Sequence, residues 1–208
     1  MNKRILSLAF PNIITNLTVP LLGLVDTAIV GHLDTKVSNL DYIGAIAVGT
    51  MIINFIYWNF GFLRMGTSGF TAQSYGKRDL KEAINILTRA SIIALIISFF
   101  LIILQYPISL AAQHFIENKN GVIDLALRYF FIVVWAAPAT LGMYAIKGWL
   151  IGMQDSKTPM YIAILINVMN IVLSLFFVFK LNMKIEGVAL GTVLSQYIGL
   201  IAVMIIWY

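Results

Sequence analysis

The sequence predicts an all-α polytopic membrane protein, on three observations. Of its 208 residues 60% are hydrophobic and only 11% charged, with a mean hydropathy of +0.90. A water-soluble domain carries roughly 25% charged residues, so too little polar sequence is present to cover a soluble surface. Apolar stretches of about 20 residues, the length that crosses a bilayer, recur six times. Short segments rich in charge and turn formers separate them.

The six transmembrane helices are expected near 5–33, 41–65, 84–106, 122–146, 159–179 and 186–208, forming a single unit over residues 1–208. The first opens with Lys3 and Arg4, as a secretory leader would. Its apolar stretch is too long for a leader and no small-x-small cleavage site follows, so a retained span is expected. Asp34–Asn39 is a short polar loop, and Gly76–Glu82 (GKRDLKE) is strongly charged. Gln113–Gly121 is turn-rich. Gly152–Pro159 ends with Thr158 before Pro159, which predicts a helix N-cap followed by proline in the first turn. Lys180–Gly187 is the last loop. The final span runs into Trp207 and Tyr208 with no polar tail, which predicts a fragment of a longer chain.

Cysteine is absent, so disulfides and thiolate metal sites are excluded. Only His32 and His114 occur, which leaves almost no room for a histidine metal centre. The net charge of +5 reads as loop charge that sets topology rather than as a nucleic-acid surface. With the N-terminus inside, Lys3, Arg4, Arg64, Lys77, Arg78, Lys81, Arg89, Lys147 and Lys157 fall on or near the inner side. Lys36, Lys119, Arg128, Lys180 and Lys184 fall outside. This split of nine against five favours a cytoplasmic N-terminus. Arg64, Lys77, Arg78 and Lys81 form a basic inner surface that suits anionic headgroups. Trp58, Trp135, Trp149 and Trp207 are expected as interface anchors.

Asp26 is the one acidic residue well inside an expected span. A carboxylate at membrane depth is costly and ordinarily faces a cavity or a partner. It reads as a proton or sodium site, the alternative being a structural hydrogen bond between helices. Pro11 and Pro20 lie in the same span; each removes a backbone hydrogen bond and favours a bend. At 100° per residue Asn12, Thr15 and Asp26 share a face. Gly23, Thr27 and Gly31 recur every fourth residue, as a close helix contact would require. In the fifth span Asn167, Asn170 and Ser174 form a polar stripe that could coordinate sodium, meet Asp26, or bond another helix. Gly187, Gly191, Ser195 and Gly199 of the sixth span read as a packing face, with Thr192 beside it. Asn54 and Asn59 are weaker cavity-lining candidates.

Several stretches resemble one family. PNIITNLTVPLLGLVDTAIVGHLD at 11–34 is similar to the first helix of MATE (multidrug and toxic compound extrusion) transporters, in particular their DinF-like branch. FLRMGTSGFTAQSYGKRD at 62–79, KGWLIGMQDSKTPM at 147–160, NIVLSLFFVF at 170–179 and IEGVALGTVLSQY at 185–197 resemble later parts of the same lobe, in the right order. The resemblance implies a twelve-helix transporter of two six-helix lobes, of which this chain is the N-terminal lobe and the C-terminal lobe is missing. It implies a multi-pass protein of the bacterial inner membrane. It implies export of small cationic or amphiphilic compounds in exchange for protons or sodium, with no cofactor and no enzymatic step. Asp26 stands at the cation-coupling position and Pro11 at the helix-bending one. Asn170 and Thr192 match two members of a cation site seen in some relatives. Two positions depart from the pattern: Ser174 stands where an aspartate is found, and Leu22 where a tyrosine is. Losing a carboxylate weakens sodium binding, which tips the expectation toward protons.

Two other readings compete. A lipid or oligosaccharide-lipid flippase of the same superfamily would hold phosphate with buried cations, and Arg128 and Lys147 are the nearest candidates. A rhomboid-like intramembrane serine protease would use Gly66-Thr67-Ser68-Gly69, but serine chemistry needs a nearby base and neither histidine lies mid-span.

Overall fold

In lipid, backbone N–H and C=O groups find no water, so an apolar chain satisfies them within helices. The computed structural model describes residues 2–31, 39–116 and 121–207, and leaves the side chains of 2–8, 12, 16–22, 39 and 40 outside the described set. Its helices are α1 (Asn2–Gly31), α2 (Asn39–Asn59), α3 (Gly61–Gly76), α4 (Leu80–Ile103), α5 (Gln105–Phe115), α6 (Val122–Val133), α7 (Ala137–Gly152), α8 (Lys157–Leu175) and α9 (Ile185–Trp207). A 3-10 turn at Val134–Ala136 joins α6 to α7, and a π-helical turn at Phe176–Lys180 ends α8. Among the described residues five segments are long and apolar enough to cross a membrane: Asp41–Gly76, Leu80–Ile103, Val122–Gly152, Lys157–Lys180 and Ile185–Trp207. The 30-residue α1 runs unbroken through the positions of Pro11 and Pro20.

Several boundaries differ from expectation, each for a physical reason. The second span does not stop near 65. After a single non-helical residue, Phe60, the chain continues as α3 to Gly76. Residues 66–76 look polar, but Thr67, Thr71 and Ser74 are buried. Thr67 Oγ1 returns its hydrogen bond to the Leu63 carbonyl at 2.6 Å, so the hydroxyl costs the helix little. The fourth span likewise continues through Trp149 and Leu150 to Gly152. Gln113, His114 and Phe115, placed in a loop by their composition, complete α5.

α3 and α7 end alike. Arg78 (φ 60°) and Gln154 (φ 65°) take the left-handed conformation. Asp79 N–H then donates to Ser74 O at 3.0 Å and Asp155 N–H to Leu150 O at 2.9 Å, closing each helix with a 6→1 bond. Each aspartate then caps the next helix. Asp79 accepts from Glu82 N–H at 3.0 Å. Asp155 accepts from Lys157 N–H at 3.0 Å and Thr158 N–H at 3.1 Å. The capping bonds of α8 therefore come from Asp155, one residue before the N-cap position Ser156, and not from Thr158, whose hydroxyl donates to the same carboxylate.

The tightest packing joins α8 to α9, α3 to α7, α2 to α6, α4 to α7 and α1 to α8. As expected, the small residues of α9 form a packing face. Gly191 lies against Ser174 of α8, and Gly199 against Ile166. The sequence reading overlooked a second such seam. Gly148 and Gly152 of α7 press on Arg64, Thr67, Ser68 and Thr71 of α3. The spacing expected of Gly23, Thr27 and Gly31 holds only at one end. Gly31 touches Ile43, while nothing lies within 4 Å of a methyl at Gly23, because that end of α1 borders a cavity.

Trp58 and Trp135 are exposed, as interface anchors should be, but Trp149 is 7% exposed. Its Nε1–H donates to the Ala83 carbonyl at 2.9 Å, tying α7 to α4, and its ring meets that of Trp207 edge-on. Trp149→Phe removes that donor and its tie to α4, while the Ala83 carbonyl keeps its bond within the helix, a cost of about 1 kcal/mol. Thermal unfolding in detergent is expected to fall by several degrees, against a smaller change for the half-exposed Trp207→Phe.

Candidate functional site

A cavity of about 520 Å³ lies inside the bundle, walled by α1, α2, α6, α7, α8 and α9. Each wall contributes at least one polar side chain, and α2, α7 and α9 contribute several at helical spacing. α1 supplies Thr15 and Asp26; α2 supplies Thr50, Asn54 and Tyr57; α7 supplies Thr140, Tyr144 and Lys147; α9 supplies Thr192 and Gln196. Asn167 of α8 and Tyr129 of α6 complete the polar lining.

Among the described residues Asp26 is the single carboxylate on the wall. It is 5% exposed, and its Oδ1 is buried without a hydrogen-bond partner. The Tyr129 hydroxyl approaches Asp26, Thr50 and Thr192. Close by, Asn170 Nδ2 donates to Thr192 Oγ1 at 2.9 Å, and Thr192 Oγ1 donates to the Val188 carbonyl at 3.1 Å. Asn170 is fully buried and its Oδ1 has no partner. Two oxygen acceptors are thus left open, one from the acid and one from the amide. Such acceptors suit a proton or a small hard cation.

The fold brings several of the expected residues together and separates others. Asp26, Thr15, Asn54, Asn167 and Thr192 line the cavity. Asn170 reaches it through Thr192. Ser174 does not: it is buried against Gly191 of α9, and its Oγ has no partner. Asn59 does not either, since it is exposed at the end of α2 and returns its amide to the Phe55 carbonyl at 2.6 Å. Pro11 is buried, and its carbonyl accepts from Thr15 Oγ1 at 2.9 Å. The side chains of Asn12 and Pro20 lie outside the described residues. Of the two cations expected nearest a cavity, Lys147 is on its wall. Arg128 is 68% exposed and pairs with Glu186 at 3.7 Å. Ser68 lies near Lys147 and Arg64 rather than near a histidine.

Sequence reasoning missed Thr50, Tyr57, Tyr129, Thr140, Tyr144 and Gln196. The signal was present in part. Thr50, Asn54 and Tyr57, like Thr140, Tyr144 and Lys147, are spaced four and three apart, which places each trio on one helix face.

The MatE family model matches residues 11–176. The chain is 38% identical over 200 residues to the DNA damage-inducible protein F of Escherichia coli, covering 96% of this chain and 43% of that protein. It is 24% identical over 208 residues to the probable multidrug resistance protein NorM of Thermotoga maritima, again covering 96% of this chain and 43% of the relative. The fold superposes on a MOP superfamily transporter from Pyrococcus furiosus with a TM-score of 0.86 at 24% identity, over 97% of this chain and 43% of that one. The chain therefore spans less than half the length of the proteins it matches.

Proposed function

The chain belongs to the MatE family, and from that premise we propose that it forms the N-terminal lobe of a cation-coupled antiporter that exports cationic or amphiphilic compounds. In this reading α1, α2–α3, α4, α6–α7, α8 and α9 are six spans of one lobe, with the N-terminus in the cytoplasm of a bacterial cell. A second six-helix lobe, from further sequence or from a partner, completes the transporter. The observation that carries the proposal is Asp26: a buried acid with an open oxygen on the wall of a polar cavity, in a chain of this family. The name of the Thermotoga maritima relative, a probable multidrug resistance protein, supports the substrate class.

The mechanism follows from binding differences. Ionised, Asp26 attracts a cation into a low-dielectric cavity; protonated, it does not. A proton taken from outside and a cationic substrate taken from inside then favour opposite states of the two lobes. Asn170 and Thr192 lie one hydrogen bond apart and extend the acceptor set beyond Asp26. Among the described residues no second carboxylate lines the cavity, and Ser174 stands where the family resemblance puts an aspartate, which favours protons over sodium as the coupling ion.

The test uses the protein with both lobes, expressed in an efflux-deficient bacterium loaded with a cationic dye. Dye efflux is expected to follow an imposed proton gradient and to collapse with a protonophore but not with a sodium ionophore. Collapse with the sodium ionophore alone would replace the proton by sodium. Absence of gradient-driven dye efflux would overturn the proposal.

A further inference from the structure

A second cavity, of about 560 Å³, opens between the middle of α1, the first half of α3, the last turns of α7 and the start of α8. Arg64 and Lys147 both line it, with Ser68 between apolar Met65 and Ile151. The two cations are close. Gly148 packs on the Arg64 carbonyl, and the charges of Arg64 and Lys147 act on one another. Two like charges on the wall of one pocket raise its positive potential and favour an anion there. No described carboxylate lines this pocket: Glu82 pairs with Arg89, Glu186 pairs with Arg128, Asp79 and Asp155 cap helices, and Asp41 and Asp124 lie in the first turns of α2 and α6. Asp26 lies eleven residues along α1 from Thr15, which borders both cavities, so it is about 16 Å away along the helix axis.

We propose that Arg64, Lys147 and Ser68 form a binding site for a phosphate group. A guanidinium fork, an ammonium and a hydroxyl are the donors such a group takes. Gly69 of α3 lies about two turns short of the helix end at Gly76, so the pocket sits near headgroup depth. Lys77, Arg78, Lys81 and Lys157 surround the same end, which concentrates anions there. The phosphate is that of an anionic lipid in the adjoining leaflet or of a soluble phosphate compound. The site shares Thr15 and Lys147 with the first cavity but lies apart from Asp26, and its occupancy can be read without transport.

The test compares the protein in nanodiscs of phosphatidylcholine alone, of phosphatidylcholine with phosphatidylglycerol, and of phosphatidylcholine with added inorganic phosphate, read by thermal unfolding. The wild type is expected to be stabilised by one of the two anions. Arg64→Gln with Lys147→Gln is expected to weaken that anion's binding at least about tenfold. Arg64→Lys with Lys147→Arg is expected to retain it, which separates loss of charge from loss of packing. Lys77→Gln with Lys81→Gln, outside the pocket, is expected to weaken it far less, since those charges act on the anion only through screened solvent. A response to phosphatidylglycerol identifies a lipid headgroup, and one to inorganic phosphate a soluble ligand. If neither anion stabilises the wild type, or if the Arg64→Gln/Lys147→Gln protein responds as the wild type does, the site is refuted.

Discussion

Asp26→Asn is expected to lower gradient-driven efflux by roughly 100-fold, to the uncoupled background, while the protein stays folded. The substitution keeps the shape of the side chain and removes its ability to ionise. A gradient does work only through a group that binds the ion differently in the two states, and among the described residues Asp26 is the one carboxylate on the cavity wall. The fold should not suffer. The buried Oδ1 has no hydrogen-bond partner to lose, and a neutral amide is cheaper to bury than a carboxylate. Thermal unfolding of Asp26→Asn should therefore match or exceed the wild type. Efflux that keeps its dependence on pH in Asp26→Asn would remove this residue from the coupling mechanism. An unfolded protein would instead make Asp26 a structural hydrogen-bonding residue.

Gly148→Leu is expected to cost about 3 kcal/mol or more, enough to lose a monodisperse folded protein in detergent. A Cβ at this position would lie 2.5 Å from the Arg64 carbonyl oxygen and 3.1 Å from Thr67 Cβ. Backbone cannot yield as a flexible side chain can, so α3 and α7 must move apart. That separation opens the seam of small residues through which membrane helices approach closely. It also displaces Arg64 and Lys147 and draws Trp149 off the Ala83 carbonyl. Gly66→Ala provides the contrast. Nothing lies within 4 Å of its new methyl, and alanine favours a helix over glycine by up to about 1 kcal/mol. Size-exclusion profiles and unfolding midpoints of the two variants check the argument. A monodisperse Gly148→Leu protein with a wild-type midpoint would show that the α3–α7 contact is looser than described.

Much of the molecule was legible from residue order. Composition and the recurrence of apolar stretches identify helices that cross a membrane. Asp26 stood out because a charge at membrane depth is rare and costly. The α9 glycines were readable because small residues every fourth position leave a groove that only another helix fills. Asn170 and Thr192 were linked only through the family resemblance, and the structure joins them by a hydrogen bond.

Other features were not legible, for one physical reason. In lipid an apolar side chain is equally at home against acyl chains or another helix, so hydropathy does not mark which face of a span is buried. Tyr57, Tyr129 and Tyr144 could equally have been interface aromatics, and Trp149 an anchor. Gly148 and Gly152 lay in a stretch noticed for its resemblance and not for its spacing. Thr67, Thr71 and Ser74 looked like the end of a helix until α7 was seen to cover them. The sequence by itself determined a helical membrane protein with one buried acid and the periodic stripes each helix carries. Only the tertiary structure decided that those stripes converge on a single cavity, with Asp26 on its wall and Lys147 at its border with a second. Periodicity assigns residues to a face of their own helix, whereas convergence depends on which faces of different helices approach, and long-range packing alone sets that.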